Sequence, residues 1–152
     1  MKQKPYNLLL WTGVIFVLTS FFVLKNDSTV DIHFHDTYFV VPFKHVFWFL
    51  AILALLVWTL YLLTHKILFS KVLTWTHVTI TILTLFLISL TLYHGDNISN
   101  MKVRRYYDFS SWNAINAYDQ YTKTIGISLS ILIFGQIIYI INFAAGLFKR
   151  RH

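Results

Sequence analysis

The sequence predicts an all-α integral membrane protein with four transmembrane helices, formed by one domain that covers residues 1–152. Hydrophobic residues make up 57% of the chain, and charged residues only 12%, against about 25% in soluble domains. A helix needs about 20 consecutive apolar residues to cross the hydrocarbon core of a bilayer, and four runs approach or exceed that length. All six acidic residues are aspartates outside these runs, so the runs are compatible with lipid.

The first two predicted spans cover residues 8–24 and 46–63. The first follows a short basic start, which also fits a signal peptide. No small-x-small cleavage site stands near its end, where the sequence reads Phe22-Val23-Leu24-Lys25, so a retained helix is favoured. The second run contains no proline or glycine, and Pro42 precedes it at a position that a helix start tolerates.

The third and fourth predicted spans cover residues 72–93 and 125–148, and both carry polar side chains at helical spacing. In lipid such a stripe is expected to face protein, where its hydroxyls can bond a neighbouring helix or their own backbone. The stripe of the third span contains Thr74, His77, Thr81, Thr84 and Thr91, and the fourth span carries Gln136, Tyr139 and Asn142.

The loops of residues 25–45 and 94–124 are expected to form a structured outer face. Residues 30–35 alternate apolar and polar side chains, which predicts a short extended segment. In the second loop, aromatic and apolar residues recur every three positions, which predicts an amphipathic helix at the membrane surface. That pattern consists of Trp112, Ile115, Tyr118 and Tyr121.

The distribution of charge predicts the orientation. Four spans place both termini on one side, and the termini together with residues 64–71 carry seven Lys or Arg and no acid. Because basic residues are concentrated in short cytoplasmic loops, we expect both termini in the cytoplasm of a bacterium, with the chain a multi-pass protein of the inner membrane. The net charge of +7 is thereby explained by membrane orientation, and no nucleic-acid partner is expected.

The stretch of residues 31–45 is where metal-ligand residue types cluster. His33 and His35 stand two positions apart on the predicted extended segment, so both imidazoles can reach one ion, with Asp31 or Asp36 adding a carboxylate. Imidazole with carboxylate suits zinc or copper, and a carboxylate-led site suits magnesium or manganese. The competing interpretation is that Asp36 and Thr37 cap the entering helix and the histidines lie at headgroup depth as polar surface residues.

The same stretch resembles a known motif. His35-Asp36-Thr37-Tyr38-Phe39-Val40-Val41, followed by His45, is similar to the tenth-helix motif of subunit I of the haem-copper oxidases, the cytochrome c and quinol oxidases. The match covers about eleven of 152 positions. The resemblance implies that His35 and Asp36 help to hold a magnesium or manganese ion near the outer surface. It also implies that His45 corresponds to the ligand of the low-spin haem.

The chain departs from that motif at the positions that oxygen chemistry requires. Phe43 stands where the resemblance implies the ligand of the oxygen-reducing haem, and it cannot bind iron. Lys44 breaks the apolar position between the two histidines, and no two adjacent histidines exist to build a copper site. Oxygen reduction by this chain alone is therefore excluded, and the chain is far too short to be a subunit I.

Haem binding is less expected than metal binding, and four histidines are its candidate ligands. His45 and His94 would serve an outer haem, or His65 and His77 an inner one. His45 and His65 lie 20 residues apart in sequence, which is about 30 Å along a helix and about 200° around it, so a two-haem bundle is geometrically poor. His77 lies about one turn inside the membrane, where buried ionisable groups are often functional.

These observations predict a non-catalytic accessory or assembly subunit of a larger membrane complex. The complex would be respiratory and oxidase-related. Its other membrane subunits and the lipid bilayer would be the partners of this chain. The chain is also expected to contribute an outer metal site to the complex. The alternative is a small haem- or metal-binding redox protein of the membrane. A third hypothesis is a lipid-interacting envelope protein in which the motif carries no chemistry. The chain has no glutamate and no phosphate-binding glycine loop, which disfavours an enzyme.

Overall fold

A computed structural model describes residues 4–22, 29–34, 37–99 and 110–151. Within them the chain forms four α-helices and one β-hairpin, and the hairpin lies between the first two helices in sequence. The helices are α1 (Asn7–Phe22), α2 (Phe43–Thr64), α3 (Lys71–Ser99) and α4 (Ser110–Arg151), and the strands are β1 (Thr29–Phe34) and β2 (Thr37–Pro42).

Three helices have the length and the apolar composition to cross a membrane. These segments are Phe43–Thr64, Lys71–His94 and Gln120–Lys149, which confirms the second, third and fourth predicted spans as long apolar helices. The fourth apolar helix, Asn7–Phe21, is shorter. The 16 residues of α1 extend about 24 Å at 1.5 Å per residue, and the last two residues of the predicted first span lie outside the described part of the chain.

Two element boundaries differ from the sequence prediction. The amphipathic helix expected as a separate surface element is instead the first part of α4, which continues without a break from Ser110 to Arg151. The third helix extends to Ser99, so His94 stands on a helix rather than in a loop. Apolar runs predict where a helix can lie in lipid, but polar residues can continue the same helix beyond the bilayer.

The extended segment before α2 is one strand of an antiparallel hairpin. β1 pairs with β2, and His33 lies opposite Tyr38 in the register. The prediction of an extended segment is confirmed, but the second strand was not predicted. Pro42 ends β2 and stands at the N-cap of α2, where its missing N–H costs no helical hydrogen bond.

The four helices run alternately up and down. Phe16 packs on Phe47 with ring centroids 6.0 Å apart, and Tyr6 stacks on Tyr61 at 6.1 Å, so the start of α1 lies beside the end of α2. At that same end Lys149 of α4 lies over the ring of Phe69. The two described ends of the chain therefore lie near the turn between α2 and α3.

The interior of the bundle contains two apolar clusters. One lies towards the hairpin and joins α1, α2 and α3; the other lies towards the α2–α3 turn. The first contains Phe16, Phe43, Phe47, Leu50, Ala51, Ala54, Leu85, Ile88 and Leu92, and the second contains Tyr6, Leu9, Val57, Tyr61 and Val78. The second cluster surrounds the polar groups described next.

Candidate functional site

His77 of α3 is a fully buried ionisable side chain, with 0% of its surface exposed. It belongs to the predicted polar stripe, and Thr74, Thr81 and Thr84 of that stripe are buried with it. The expectation that the stripe faces protein is confirmed for these four residues. Thr91 is only partly buried and bonds the carbonyl of Leu87 on its own helix.

Both ring nitrogens of His77 have hydrogen-bond partners. Nδ1 lies 2.6 Å from the hydroxyl of Tyr61 on α2, and Nε2 lies 3.2 Å from Oε1 of Gln136 on α4. Thr81, one turn further along α3, places its Oγ1 3.3 Å from the same Nε2. His77 therefore joins three helices through side-chain hydrogen bonds.

The geometry around Gln136 assigns the tautomer of His77. The amide nitrogen of Gln136 donates to the carbonyl of Leu132 at 3.3 Å, so its oxygen faces His77. An acceptor at that position requires the proton of the neutral imidazole on Nε2, and Nδ1 then accepts from the Tyr61 hydroxyl. Both ring nitrogens of His77 are satisfied in this arrangement, one as a donor and one as an acceptor.

Tyr139 extends the same cluster to the end of α2. Its ring packs against Tyr61 and His77 with centroids 5.1 and 5.6 Å apart. Its hydroxyl lies 2.9 Å from Oγ1 of Thr64, and Thr64 uses its own proton towards the carbonyl of Leu60. The Tyr139 hydroxyl is thus the donor of the bond that ties α4 to α2.

Asn142, one turn further along α4, bonds the turn before α3. Its Oδ1 accepts from the backbone N–H of Ser70 at 2.9 Å, and its Nδ2 donates to the Ser70 carbonyl and to Thr74 Oγ1 at 3.1 and 3.0 Å. The backbone N–H of Phe69 donates to the carbonyl of Asn142. This fully buried amide therefore supplies the acceptor for the N–H of Ser70, the residue that precedes α3.

The polar cluster around His77 is suited to holding helices together. In the described part of the chain, its hydrogen-bonding groups are paired with one another, and no three His, Cys, Asp or Glu side chains come close enough to hold a metal ion. The one buried side-chain polar atom without a partner there is Nε1 of Trp58. Both nitrogens of His77 are occupied, so neither is available as an iron ligand in this arrangement.

The predicted outer metal site lies partly outside the described residues. Asp31 and His33 stand in β1, where they pair in register with Val40 and Tyr38. His35 and Asp36, the two residues between the strands, are not among the described residues. The metal site remains a prediction, and the hairpin gives it an ordered backbone on one side.

The other candidate haem ligands occupy separate places. His45 is exposed on the first turn of α2. His65 follows α2, is exposed, and places Nδ1 2.8 Å from the carbonyl of Leu62. His94 is exposed on α3 and bonds the carbonyl of Leu90 at 2.9 Å. No hydrogen bond or ring contact among the described residues joins any two of these histidines or His77.

Tyr61 is the central residue of this cluster that the sequence patterns did not single out. It is fully buried and contacts His77, Tyr139 and Tyr6. A signal was present, because Tyr61 follows Leu50, Ala54 and Val57 at helical spacing on the buried side of α2. A tyrosine on that face needs a hydrogen-bond partner inside the bundle, and His77 is the matching group.

Comparison of the chain with protein-family models, with curated proteins and with solved structures gave no match.

Proposed function

We propose that this protein is a non-catalytic accessory or assembly subunit of a larger membrane complex. The observation that carries the proposal is the distribution of polar and apolar groups on α4. Its polar residues Gln136, Tyr139 and Asn142 are used within the bundle, whereas the rest of its span is an apolar surface that this chain leaves largely uncovered.

The closed hydrogen-bond network supports a structural role for the interior. His77, the one histidine that is buried in the described part of the chain, already has a partner at each nitrogen. Because this bundle satisfies its polar stripes itself, they do not require a partner, and the surface available to a partner is the outside of α4.

The span of α4 is the least covered of the three long helices. Only 17% of its most apolar window is buried, against 44% for α3 and 33% for α2. Four exposed large apolar residues recur every seven positions along it, namely Ile127, Phe134, Ile141 and Phe148. A seven-residue apolar repeat is the spacing that lets another helix pack along the same seam. The proposed occupant is a transmembrane helix of another subunit.

The finer parts of the proposal rest on the sequence. The respiratory and oxidase-related nature of the complex rests on the resemblance of residues 35–45. The four-span topology rests on the first apolar run. The cytoplasmic termini and the bacterial inner membrane rest on the seven basic residues in the terminal segments and in residues 64–71. An outer metal site would use His33, His35 and Asp36, with Asp31 as a further ligand.

The proposal is tested by extracting the protein in a mild detergent and measuring its mass and its co-purifying proteins. The wild-type chain should elute with a stoichiometric membrane protein, and Phe134→Ala should weaken that association. Phe49→Ala on α2 is the matched control, because Phe134 and Phe49 are 68% and 63% exposed. A monodisperse monomer of the wild-type chain, or equal effects of the two variants, would contradict the proposal.

A metal- or haem-binding redox protein is the second candidate, and the hairpin is the observation that favours it. It holds Asp31 and His33 on one strand, next to the two further candidate ligands in sequence. Elemental analysis and a visible spectrum of the same preparation separate the candidates. About one equivalent of metal that His33→Ala removes would support the outer site. A Soret band that His45→Ala removes would support haem binding. If neither metal nor haem is found, the accessory-subunit proposal stands.

A further inference from the structure

A basic pocket lies at the end of the bundle where the chain termini meet. It has a volume of about 390 Å³ and is lined by Lys66, Ile67, Leu68, Phe69, Gly146 and Lys149. This volume lies within the range of small-ligand sites, about 300 to 1,000 Å³. The pocket is separate from the His77 cluster and from the outer loops, and none of the interactions described above uses its two lysines except the contact of Lys149 with Phe69.

The walls of the pocket are held together by backbone contacts. Gly146 packs directly against the carbonyl group of Ile67, and the N–H of Phe69 donates to the carbonyl of Asn142 at 3.3 Å. The ammonium of Lys149 lies 5.2 Å from the centre of the Phe69 ring, a distance that fits a cation–π contact. The α2–α3 turn and the last turns of α4 therefore form one continuous surface. The contact with the Phe69 ring orients Lys149 on it.

The charge of the pocket is uncompensated. Within the described residues, neither Lys66 nor Lys149 pairs with a carboxylate. All six aspartates lie in residues 27–36 and 96–119 of the sequence, and none lies in residues 64–71 or after residue 119. Lys4, beside Tyr6, and Lys71, the first residue of α3, add to the positive potential at this end. Two ammonium groups on one concave surface without an acid select an anionic ligand.

The position of the pocket identifies the kind of anion. It opens where α2 ends at Thr64 and where the apolar span of α4 ends at Lys149, which is the level of lipid headgroups. Leu63, Phe69 and Phe148, close by in sequence, are 73%, 52% and 70% exposed and offer an apolar surface to acyl chains. A soluble anion would contact the lysines alone, whereas a lipid would contact the lysines with its headgroup and the exposed apolar side chains with its acyl chains.

We infer that this pocket binds the phosphate of an anionic phospholipid, with Lys66 and Lys149 pairing with the phosphate oxygens. The acyl chains would lie along the exposed apolar residues below the pocket. The proposal does not depend on a partner subunit, because all of its elements belong to this chain.

The test measures lipid selectivity. The full chain is placed in nanodiscs of equal phosphatidylglycerol and phosphatidylcholine, and the lipids that remain bound after release are counted by native mass spectrometry. The wild-type protein should retain phosphatidylglycerol in preference to phosphatidylcholine. A lysine that pairs directly with the lipid phosphate is expected to contribute roughly a fivefold preference for anionic lipid, so Lys66→Gln with Lys149→Gln should lower the selectivity roughly 25-fold.

Two controls distinguish lipid bound in the pocket from lipid attracted by diffuse charge and from a soluble phosphate. Lys71→Gln removes one charge from the same end of the bundle without touching the pocket, and it should leave the selectivity within about twofold. A loss with Lys71→Gln equal to that of the double variant would mean a diffuse surface charge and would overturn the proposal. Inorganic phosphate and glycerol phosphate are added as competitors. Displacement of the lipid at millimolar concentration would assign the pocket to a soluble phosphate instead.

Discussion

At the scale of single residues, a short hydrogen bond of 2.6 Å between the side chains of Tyr61 and His77 joins α2 to α3. Its importance comes from its surroundings, because water is absent from the hydrocarbon region and a lost partner cannot be replaced. The orientation of His77 is further restrained by Gln136 on α4. The bond therefore couples the α1–α2 pair of helices to the α3–α4 pair.

The change Tyr61→Phe should destabilise the bundle by about 1 kcal/mol, because it removes one hydroxyl and leaves Nδ1 of His77 without a donor. Tyr93→Phe is the control, since Tyr93 is 53% exposed and its hydroxyl makes no hydrogen bond in the described structure; it should change stability by a few tenths of a kcal/mol at most. The measurement is reversible unfolding in mixed micelles. Equal values for the two variants would mean that the Tyr61–His77 bond contributes nothing net.

Residue roles could be predicted from the sequence only in part. His77 and the threonines of its stripe were recognisable, because polar residues at helical spacing in a membrane span must face protein. The predicted polar line of Gln136, Tyr139 and Asn142 also faces the bundle. The pairing between them was not predictable, because the relative rotation of two helices depends on packing across sequence separations of 59 to 72 residues.

At the scale of elements, two glycines of α4 illustrate how one helix can have a packed side and an open side. A methyl group on Gly146 would collide with the carbonyl group of Ile67, whereas one on Gly126 would meet no atom within 4 Å. The sequence alone does not distinguish these glycines, because both stand in the same apolar run. The structure assigns the close approach to Gly146.

Gly146→Ala should therefore destabilise the bundle by about 3 kcal/mol, since the packing of α4 against the α2–α3 turn must shift to make room. Gly126→Ala should be neutral or stabilising by up to about 1 kcal/mol, because alanine favours a helix more than glycine does. Thermal unfolding of the two variants in the same detergent measures the difference. A Gly146→Ala protein as stable as Gly126→Ala would show that this close approach is not needed.

Of the two strands of the hairpin, the sequence predicts only the first. Alternation in residues 30–35 predicts extended structure, which β1 confirms. For residues 37–42 no strand was predicted, although Pro42 does stand at a helix start, as expected. The aromatic and β-branched residues of the run Tyr38-Phe39-Val40-Val41 are typical of a strand, and the pairing with β1 gives this strand a partner.

At the scale of the whole molecule, the up-and-down arrangement has a direct test in the accessibility of its ends. The chain has no cysteine, so single cysteines can be introduced and labelled with a membrane-impermeant thiol reagent. Lys4→Cys and Lys71→Cys should react from the same side of the membrane, and Lys44→Cys, at the start of α2, from the other. Labelling of Lys4→Cys together with Lys44→Cys would mean that α1 does not cross.

The overall architecture was the most predictable level. Long uncharged runs define where helices can lie in lipid, and three such helices were found where they were expected. The length of α1 and the continuity of α4 were not predictable, because helices end according to local hydrogen bonding and not according to hydropathy. The sequence shows that no acid lies in the turn between α2 and α3. It does not show the pocket that brings Lys66 and Lys149 onto one concave surface.

The amide of Asn142 also sets an order of events during synthesis. It bonds Ser70, which precedes it by 72 residues, and at 5 to 20 residues per second the ribosome needs roughly 4 to 14 s to cover that distance. Throughout this interval α1, α2 and α3 exist without the group that completes the start of α3. A chain interrupted before α4 leaves the N–H of Ser70 without this acceptor, so the bond to Asn142 distinguishes a complete molecule from a fragment.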